Sequence, residues 1–300
     1  MTSLPFPLRL VRYLLRRLNY HLSSSYQKSF SEPFDQETLK TFETALREMP
    51  APNAGARAYL NKHVPRLAKT LAMVPSPQST GRVLELGCYM QITPLLNRLC
   101  GYREVRGAYY GPVGRVDRKS IPFPDGDFNC EVDHFNVEKD PFPYPDGHFD
   151  LVIAGEIIEH LIYDPMHMLI EARRVLVDGG FLLVTTPNVG SVTSVAKTLR
   201  GHDNPQIYFK YDRPSAEREP EIGHMREYTV HEIGEVMNAA GFDLTKLFTT
   251  VIAEFEGHHK LLNFLVENGY DPENRGEQTW CLAQKRSDLP VDRYPWFIYE

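Results

Sequence analysis

Between residues 82 and 188, short apolar runs alternate with helix-patterned segments, and this alternation limits the possible folds more than any other feature of the chain. "RVLELGC" (82–88), "EVRGAYYG" (104–111), "FNCEVDHFNV" (128–137), "FDLVIAGEII" (149–158) and "FLLVTTPN" (181–188) read as strands. "TPLLNRLCG" (93–101), with Pro94 in its first turn, and "MHMLIEARRVL" (166–176) read as helices, the second ended by Asp178-Gly179-Gly180. Such alternation predicts an α/β fold: a mostly parallel sheet, doubly wound, with helices on both faces. "PFPDGDFNCEV" (122–132) and "PYPDGHFDLVI" (143–153) share a Pro-Asp-Gly turn before a strand, which reads as two similar strand entries.

The flanks extend this pattern. Residues 35–49 predict a helix opened by Asp35 or Gln36, with Leu39, Phe42, Leu46 and Met49 on one face. A second helix is expected over 54–73, ended by "PSPQSTG" (75–81). Beyond 190 the pattern loosens. Residues 201–229 are polar and carry prolines, with Tyr208, Phe209, Tyr211, Arg213, Arg218 and Arg226 spaced through them. A connection of that length reads as a lid or substrate loop. Residues 229–242 predict a helix, and "FDLTKLFTTVIAEF" and "TWCLAQKR" the last two strands, with a helix near 258–268 between them. The expected organisation is an N-terminal basic amphipathic and helical extension (1–53), a catalytic-type domain (54–286) and a tail (287–300).

A net charge of −6 argues against the broad basic surface of a nucleic-acid binder. No C-x-x-C pair occurs among Cys88, Cys100, Cys130 and Cys281, so free thiols are expected. Residues 8–18 place Arg9, Arg12, Arg16 and Arg17 among leucines, with no acid before Glu32. Such a stretch can pack on the domain, lie on an anionic membrane surface, or act as a targeting peptide.

The order of segments from 82 to 286 resembles the class I S-adenosylmethionine-dependent methyltransferases of the small-molecule group. The motifs that carry the likeness are "PYPDGHFDLVIAGEIIEHLIYDPMHMLIEARRVLVDGGFLLVTTPN" and "GHMREYTVHEIGEVMNAAGF". The resemblance implies a Rossmann-like seven-stranded sheet, its last strand antiparallel, with S-adenosylmethionine at the carboxyl ends of the first strands.

Carried over residue by residue, the resemblance implies a cofactor site at Glu85, Gly87, Cys88, Tyr89, Tyr109, Asn136, Val137 and Glu156. Glu85 and Gly87 match the first acid and first glycine of the family's E/D-x-G-x-G-x-G loop. Tyr89 and Gln91 stand where its second and third glycines belong. Tyr109 occupies the place of the acid that receives the ribose hydroxyls, and a phenol cannot form a charged bidentate pair. Asn136 stands at the adenine-contacting position, where an amide oxygen can still accept. These departures leave room for an inactive partner protein, which would close the pocket with apolar side chains around Tyr89.

"GEIIEHL" offers Glu156, Glu159 and His160. If a helix starts near 156, the three share a face. Two carboxylates and an imidazole there can hold a divalent cation, magnesium or manganese, as related O-methyltransferases do, with His224 as the fourth ligand. Zinc is disfavoured by the lack of a nearby cysteine. Alternatively His160, beside Glu159, is the catalytic general base, or the pair only fixes the turn. The expected activity is O-methylation of a small or glycan acceptor, by a cytoplasmic protein with peripheral contact to the inner membrane face through residues 8–18. The tail "RYPWFIY" resembles chains of bacterial polysaccharide pathways. A metal-assisted RNA 2′-O-methyltransferase is the other reading, and the acidic net charge counts against it.

Overall fold

The computed structural model describes residues 33–51, 53–201, 204–206, 223–251, 259–270 and 273–299. The basic stretch at 8–18 and most of the expected lid (207–222), with Tyr208, Phe209, Tyr211, Arg213 and Arg218, lie outside the described residues.

Two helices lead into the sheet. Helix α1 (Gln36–Glu48) starts at Asp35, whose carboxylate accepts from the Thr38 N–H at 2.7 Å. Helix α2 (Ala54–Met73) is capped in the same way by Asn53. The apolar stripe of α1 buries Leu39, Leu46 and Met49 against Leu60, Val64 and Leu67 of α2. Each fully buried leucine or methionine there contributes about 1.5–3 kcal/mol.

The sheet holds β1 (Arg82–Leu86), β2 (Glu104–Tyr109), β3 (Val116–Ile121), β4 (Phe128–His134), β5 (Phe149–Gly155), β6 (Leu176–Pro187), β7 (Phe242–Thr250) and β8 (Gln278–Lys285). Their order is β3-β4-β2-β1-β5-β6-β8-β7. The pairs β1–β2, β1–β5, β2–β4 and β5–β6 are parallel. The last strand, β8, runs antiparallel between β6 and β7. Helix α3 spans Thr93–Arg98, α4 Pro165–Val175, α5 Val192–Arg200, α6 Val230–Ala239, α7 His259–Glu267 and α8 Trp296–Tyr299.

The central strands are buried on both faces. Leu84, Leu86, Val152, Ala154, Leu182 and Val184 join Met168, Leu169, Ile233 and Val236 of α4 and α6 on one side. Val83, Leu151, Ile153 and Leu183 join residues of α1, α2 and α3 on the other. That is the doubly wound arrangement expected from strands with near-continuous apolar runs.

Three expectations need correction. The sheet has eight strands, not seven, because "VDRKSI" forms β3 and pairs antiparallel with β4. Only Ile121 of β3 is buried, so this polar edge strand carries no apolar run to reveal it. Asp178-Gly179-Gly180 does not cap a helix: α4 ends at Val175, and these residues enter β6, with Gly179 at φ +79° and a register shift against β5. Helix α5, capped by Ser191 and closed by Gly201, occupies a stretch whose sequence pattern is too loose to predict it.

The sheet is tied to its entry loop by Asp150. This carboxylate is almost fully buried, and it accepts from the backbone N–H groups of Gln78 (2.9 Å), Ser79 (3.2 Å), Thr80 (3.0 Å) and Gly81 (2.7 Å). Hydroxyls of Ser79 and Thr80 add to them. Burial alone would raise its pKa, but the converging donors more than offset this and hold it below the usual carboxylate range. Asp150→Asn is expected to lose about 2–4 kcal/mol at pH 7. A depressed folded pKa stabilises above the ordinary aspartate value and ceases to do so as pH falls. Urea unfolding should therefore show the gap between wild type and variant shrinking below about pH 4.

Candidate active site

Strand β1 delivers the chain to a turn at the carboxyl edge of the sheet. Gly87 leaves the strand at φ +65°, and a Cβ there would meet Ile157 Cδ1 at 3.2 Å. The Cys88 N–H returns to the Ala108 carbonyl of β2 at 2.9 Å. The next left-handed residue is Met90, at φ +63°. Positions 89 and 91 keep negative φ, so the missing glycines at Tyr89 and Gln91 are not required by this backbone. The strain that a glycine would relieve has moved to Met90.

The side chains at this turn divide into buried and exposed. Glu85 lies beneath the loop, accepting from the Thr93 hydroxyl at 2.6 Å, and burial holds its carboxyl well above the usual range. Cys88 is buried against Gly107, where a Cβ would stand 2.7 Å from its sulfur. Contact with Cys130 and burial push its thiol up. Tyr89 points outward and is 64% exposed. Its ring meets that of Tyr109 edge to face at 5.2 Å, and the Tyr109 hydroxyl donates to the Tyr89 oxygen at 3.0 Å.

Asn136 follows β4. Its side-chain oxygen accepts from the Glu138 N–H at 2.9 Å, and its own N–H donates to Asp140 at 2.7 Å, so the adenine-contacting position is an ordered Asx turn. Val137 is half-buried against the core beside it.

Strand β5 ends in a second left-handed residue, Glu156 at φ +54°. The helix expected from 156 is absent; a single 3₁₀ turn, Ile158–His160, takes its place. Glu156 therefore leaves the face of Glu159 and His160. Its carboxylate accepts from the Thr185 hydroxyl and the Gln278 amide, both at 2.7 Å, and lies 3.6 Å from the Arg66 guanidinium of α2. As a metal ligand Glu156 is not supported: it is not part of the group that the fold gathers. Beside Arg66, burial presses the His63 imidazole down to about 4.

The gathered residues are Glu159, His160 and His224, whose ligand atoms lie within 4.8 Å of one another. Glu159 is fully buried. One carboxylate oxygen accepts from the Thr186 hydroxyl at 2.8 Å. The other, Oε1, has no hydrogen-bond partner among the described residues and stands 4.0 Å from His160 Nε2 and 3.9 Å from His224 Nε2. Burial, with the nearby Glu156 charge, pushes the Glu159 carboxyl well up. His224 Nδ1 contacts Glu227 at 2.8 Å, and the rings of His160 and His224 meet edge to face at 4.8 Å. Backbone N–H groups of Met225 and Arg226 donate to the Glu159 carbonyl, at 2.7 and 3.2 Å, and bring the "GHMREYT" segment to the 3₁₀ turn. The sequence reading missed Arg66, Thr185, Thr186, Glu227 and Gln278. The two threonines lie in "TTPN" and Glu227 in "REYT", but Arg66 and Gln278 sit in segments with no motif.

Residues 56–247 match the profile of a methyltransferase domain family. The chain belongs to this methyltransferase family. Its members depend on S-adenosylmethionine, and the sheet seen here is Rossmann-like, with β3 as one edge strand more than the seven expected. No curated protein sequence matches the chain. Among solved structures it is similar to a methyltransferase from Haloferax volcanii in complex with the Trm112 activator, at 12% identity over 85% of this chain and 100% of that one, TM-score 0.48. It is also similar to a SAM-dependent methyltransferase from Methanosarcina mazei (18% identity, 68% and 92% covered, TM-score 0.45). A third, from Thermotoga maritima, is described as a possible histamine N-methyltransferase (17% identity, 83% and 97% covered, TM-score 0.44).

Gly87→Ala would place a methyl group at positive φ against Ile157. It is expected to cost about 1–2 kcal/mol in chemical denaturation. Gln91→Gly, at an ordinary φ, should not stabilise the protein by any comparable amount.

Proposed function

We propose that the protein transfers the methyl group of S-adenosylmethionine to a hydroxyl oxygen of a small or sugar acceptor held over Glu159, His160 and His224. The observation that supports this most is Glu159 Oε1, a buried carboxylate oxygen that faces two imidazole nitrogens and has no hydrogen-bond partner among the described residues. Such an arrangement calls for a cation among the three groups. One carboxylate and two imidazoles suit a divalent cation, manganese or zinc better than magnesium, which prefers an all-oxygen shell. The donor set thus reverses the argument against zinc from missing cysteines. When bound, the cation supplies a Lewis acid that lowers the pKa of the acceptor hydroxyl.

The chain's own residues prepare the site. Glu227 accepts from His224 Nδ1, which leaves the Nε2 lone pair turned toward Glu159. Thr186 fixes the Glu159 carboxylate, and Arg66 with Gln278 holds the neighbouring Glu156 in a separate network. Ile162, Tyr163 and Met225 are exposed and lie within three residues of His160 or His224 along the chain, and would offer apolar and ring surface to an acceptor. One observation favours a second reading: His160 is the most open of the three, its side chain 35% exposed. Without a cation it is placed to take the acceptor proton as the oxygen–methyl bond forms and the sulfonium becomes a neutral thioether.

Calorimetry and a labelled-methyl assay with hydroxyl-bearing sugars test this. S-adenosylmethionine should bind in the micromolar range, with label in an O-methyl product. His160→Ala should lower turnover about 100-fold or more while affinity for S-adenosylhomocysteine holds. A folded protein that binds neither ligand at millimolar concentration overturns the proposal. Manganese titration followed by electron paramagnetic resonance separates the two readings: binding lost in Glu159→Gln supports the cation, and no binding below millimolar leaves His160 as base.

No described helix is long and apolar enough to cross a membrane. We place the protein at the inner membrane face of the cytoplasm, working on lipid-linked glycans, because the basic amphipathic sequence at 8–18 suits an anionic surface. Full-length protein should sediment with anionic liposomes, and a variant lacking residues 1–30 should not.

A further inference from the structure

Three strand ends meet beside the Gly87 turn. The register pairs Glu85 with Gly107 and Leu86 with Ala108, so Tyr109 lies level with Gly87. On the other side Tyr109 pairs with His134 of β4. The acid that the family resemblance places at Tyr109 is therefore missing from the middle of this edge. The nearest carboxylate brought in by the added strand β3, Asp117, does not replace it. Asp117 is engaged by Arg115 at 3.0 Å, by Lys119 at 3.6 Å and by His134 Nε2 at 3.1 Å. Gly111 lets the loop pass close over that histidine, because a Cβ there would stand 2.5 Å from its Nδ1.

We propose that the ribose of the S-adenosyl ligand is held by a pair of phenols, Tyr109 and Tyr89, in place of the missing carboxylate. This rests on the reading that the protein binds S-adenosylmethionine. The two hydroxyls are 3.0 Å apart, and their edge-to-face rings hold each other in place. Each phenol oxygen can both donate and accept, which suits the two adjacent hydroxyls of a ribose. The backbone has made room for this pair. With the left-handed residue moved to Met90, position 89 has ordinary φ and can carry a large side chain that stands outward toward Tyr109. The loss of two glycines and the loss of the acid are then one change: a charged grip replaced by a neutral aromatic one, with Tyr89 supplying half of it.

The test is calorimetric titration of wild type, Tyr109→Phe and Tyr89→Phe with S-adenosylhomocysteine and with its 2′,3′-dideoxyribose analogue. Both variants keep the ring, and their melting temperatures report whether the fold is kept. Wild type should prefer the ribose ligand. Each variant should bind it about 3- to 10-fold more weakly, with affinity for the dideoxy ligand unchanged. A wild type that binds S-adenosylhomocysteine, with both variants equal to it, overturns the phenol pair alone. A wild type that binds neither ligand overturns the proposed function, and the phenol pair with it.

Discussion

The sheet and its site both depend on where the chain enters β1, and a single carboxylate sets that entry. Asp150 on β5 collects four consecutive backbone N–H groups from residues 78–81. A buried anion cannot stay ionised without such donors, and a loop cannot stay ordered at the foot of a sheet without an acceptor. Each need meets the other. The contact fixes the level at which β1 starts beside β5, which sets the register Val83–Leu151 to Leu86–Ala154. The register in turn brings the ends of both strands, Gly87 and Glu156, to the same edge.

At that edge the chain changes direction through left-handed residues. Gly87, Met90 and Glu156 all have φ between +54° and +65°. Only the first is glycine, and it is the one whose Cβ would strike a neighbour. Strain at Met90 and Glu156 is of the kind that gathers at functional sites and is held by its surroundings. For Glu156 those surroundings are visible: its N–H donates to the Thr185 carbonyl, and its carboxylate is held by Thr185, Gln278 and Arg66. The turn throws Glu156 to one side and Glu159 to the other, so two carboxylates three residues apart serve separate networks.

Much of this was legible in the sequence. Strands whose apolar residues run on without alternating with polar ones are buried on both faces, so β1, β5 and β6 were readable, as was the cap at Asp35. Strand β3 was not, because an edge strand with one buried residue has neither an apolar run nor a clean alternation. The E-x-x-E-H spacing put Glu159 and His160 side by side but wrongly kept Glu156 on their face, since spacing cannot tell an α-helix from a strained turn followed by one 3₁₀ turn. His224 could be named only through the family likeness; its place beside Glu159 depends on hydrogen bonds from Met225 and Arg226 that no local pattern encodes. Arg66 is a buried arginine in an ordinary-looking helix, legible only once Glu156 faces it.

The order of strands also bears on how the protein comes off the ribosome. Strand β8 is made after β7 yet lies between β7 and β6, so β7 has no place in the sheet until β8 arrives. The first residue of β8 is Gln278, which grips Glu156, and two residues on Trp280 fills the space beside Phe34 and Phe248. The first described residues of the chain, one side of the candidate site and the far edge of the sheet thus all wait for the same later segment. A translating ribosome carries central strands that can already pair, while the grip on Glu156 forms only after β8 has been made.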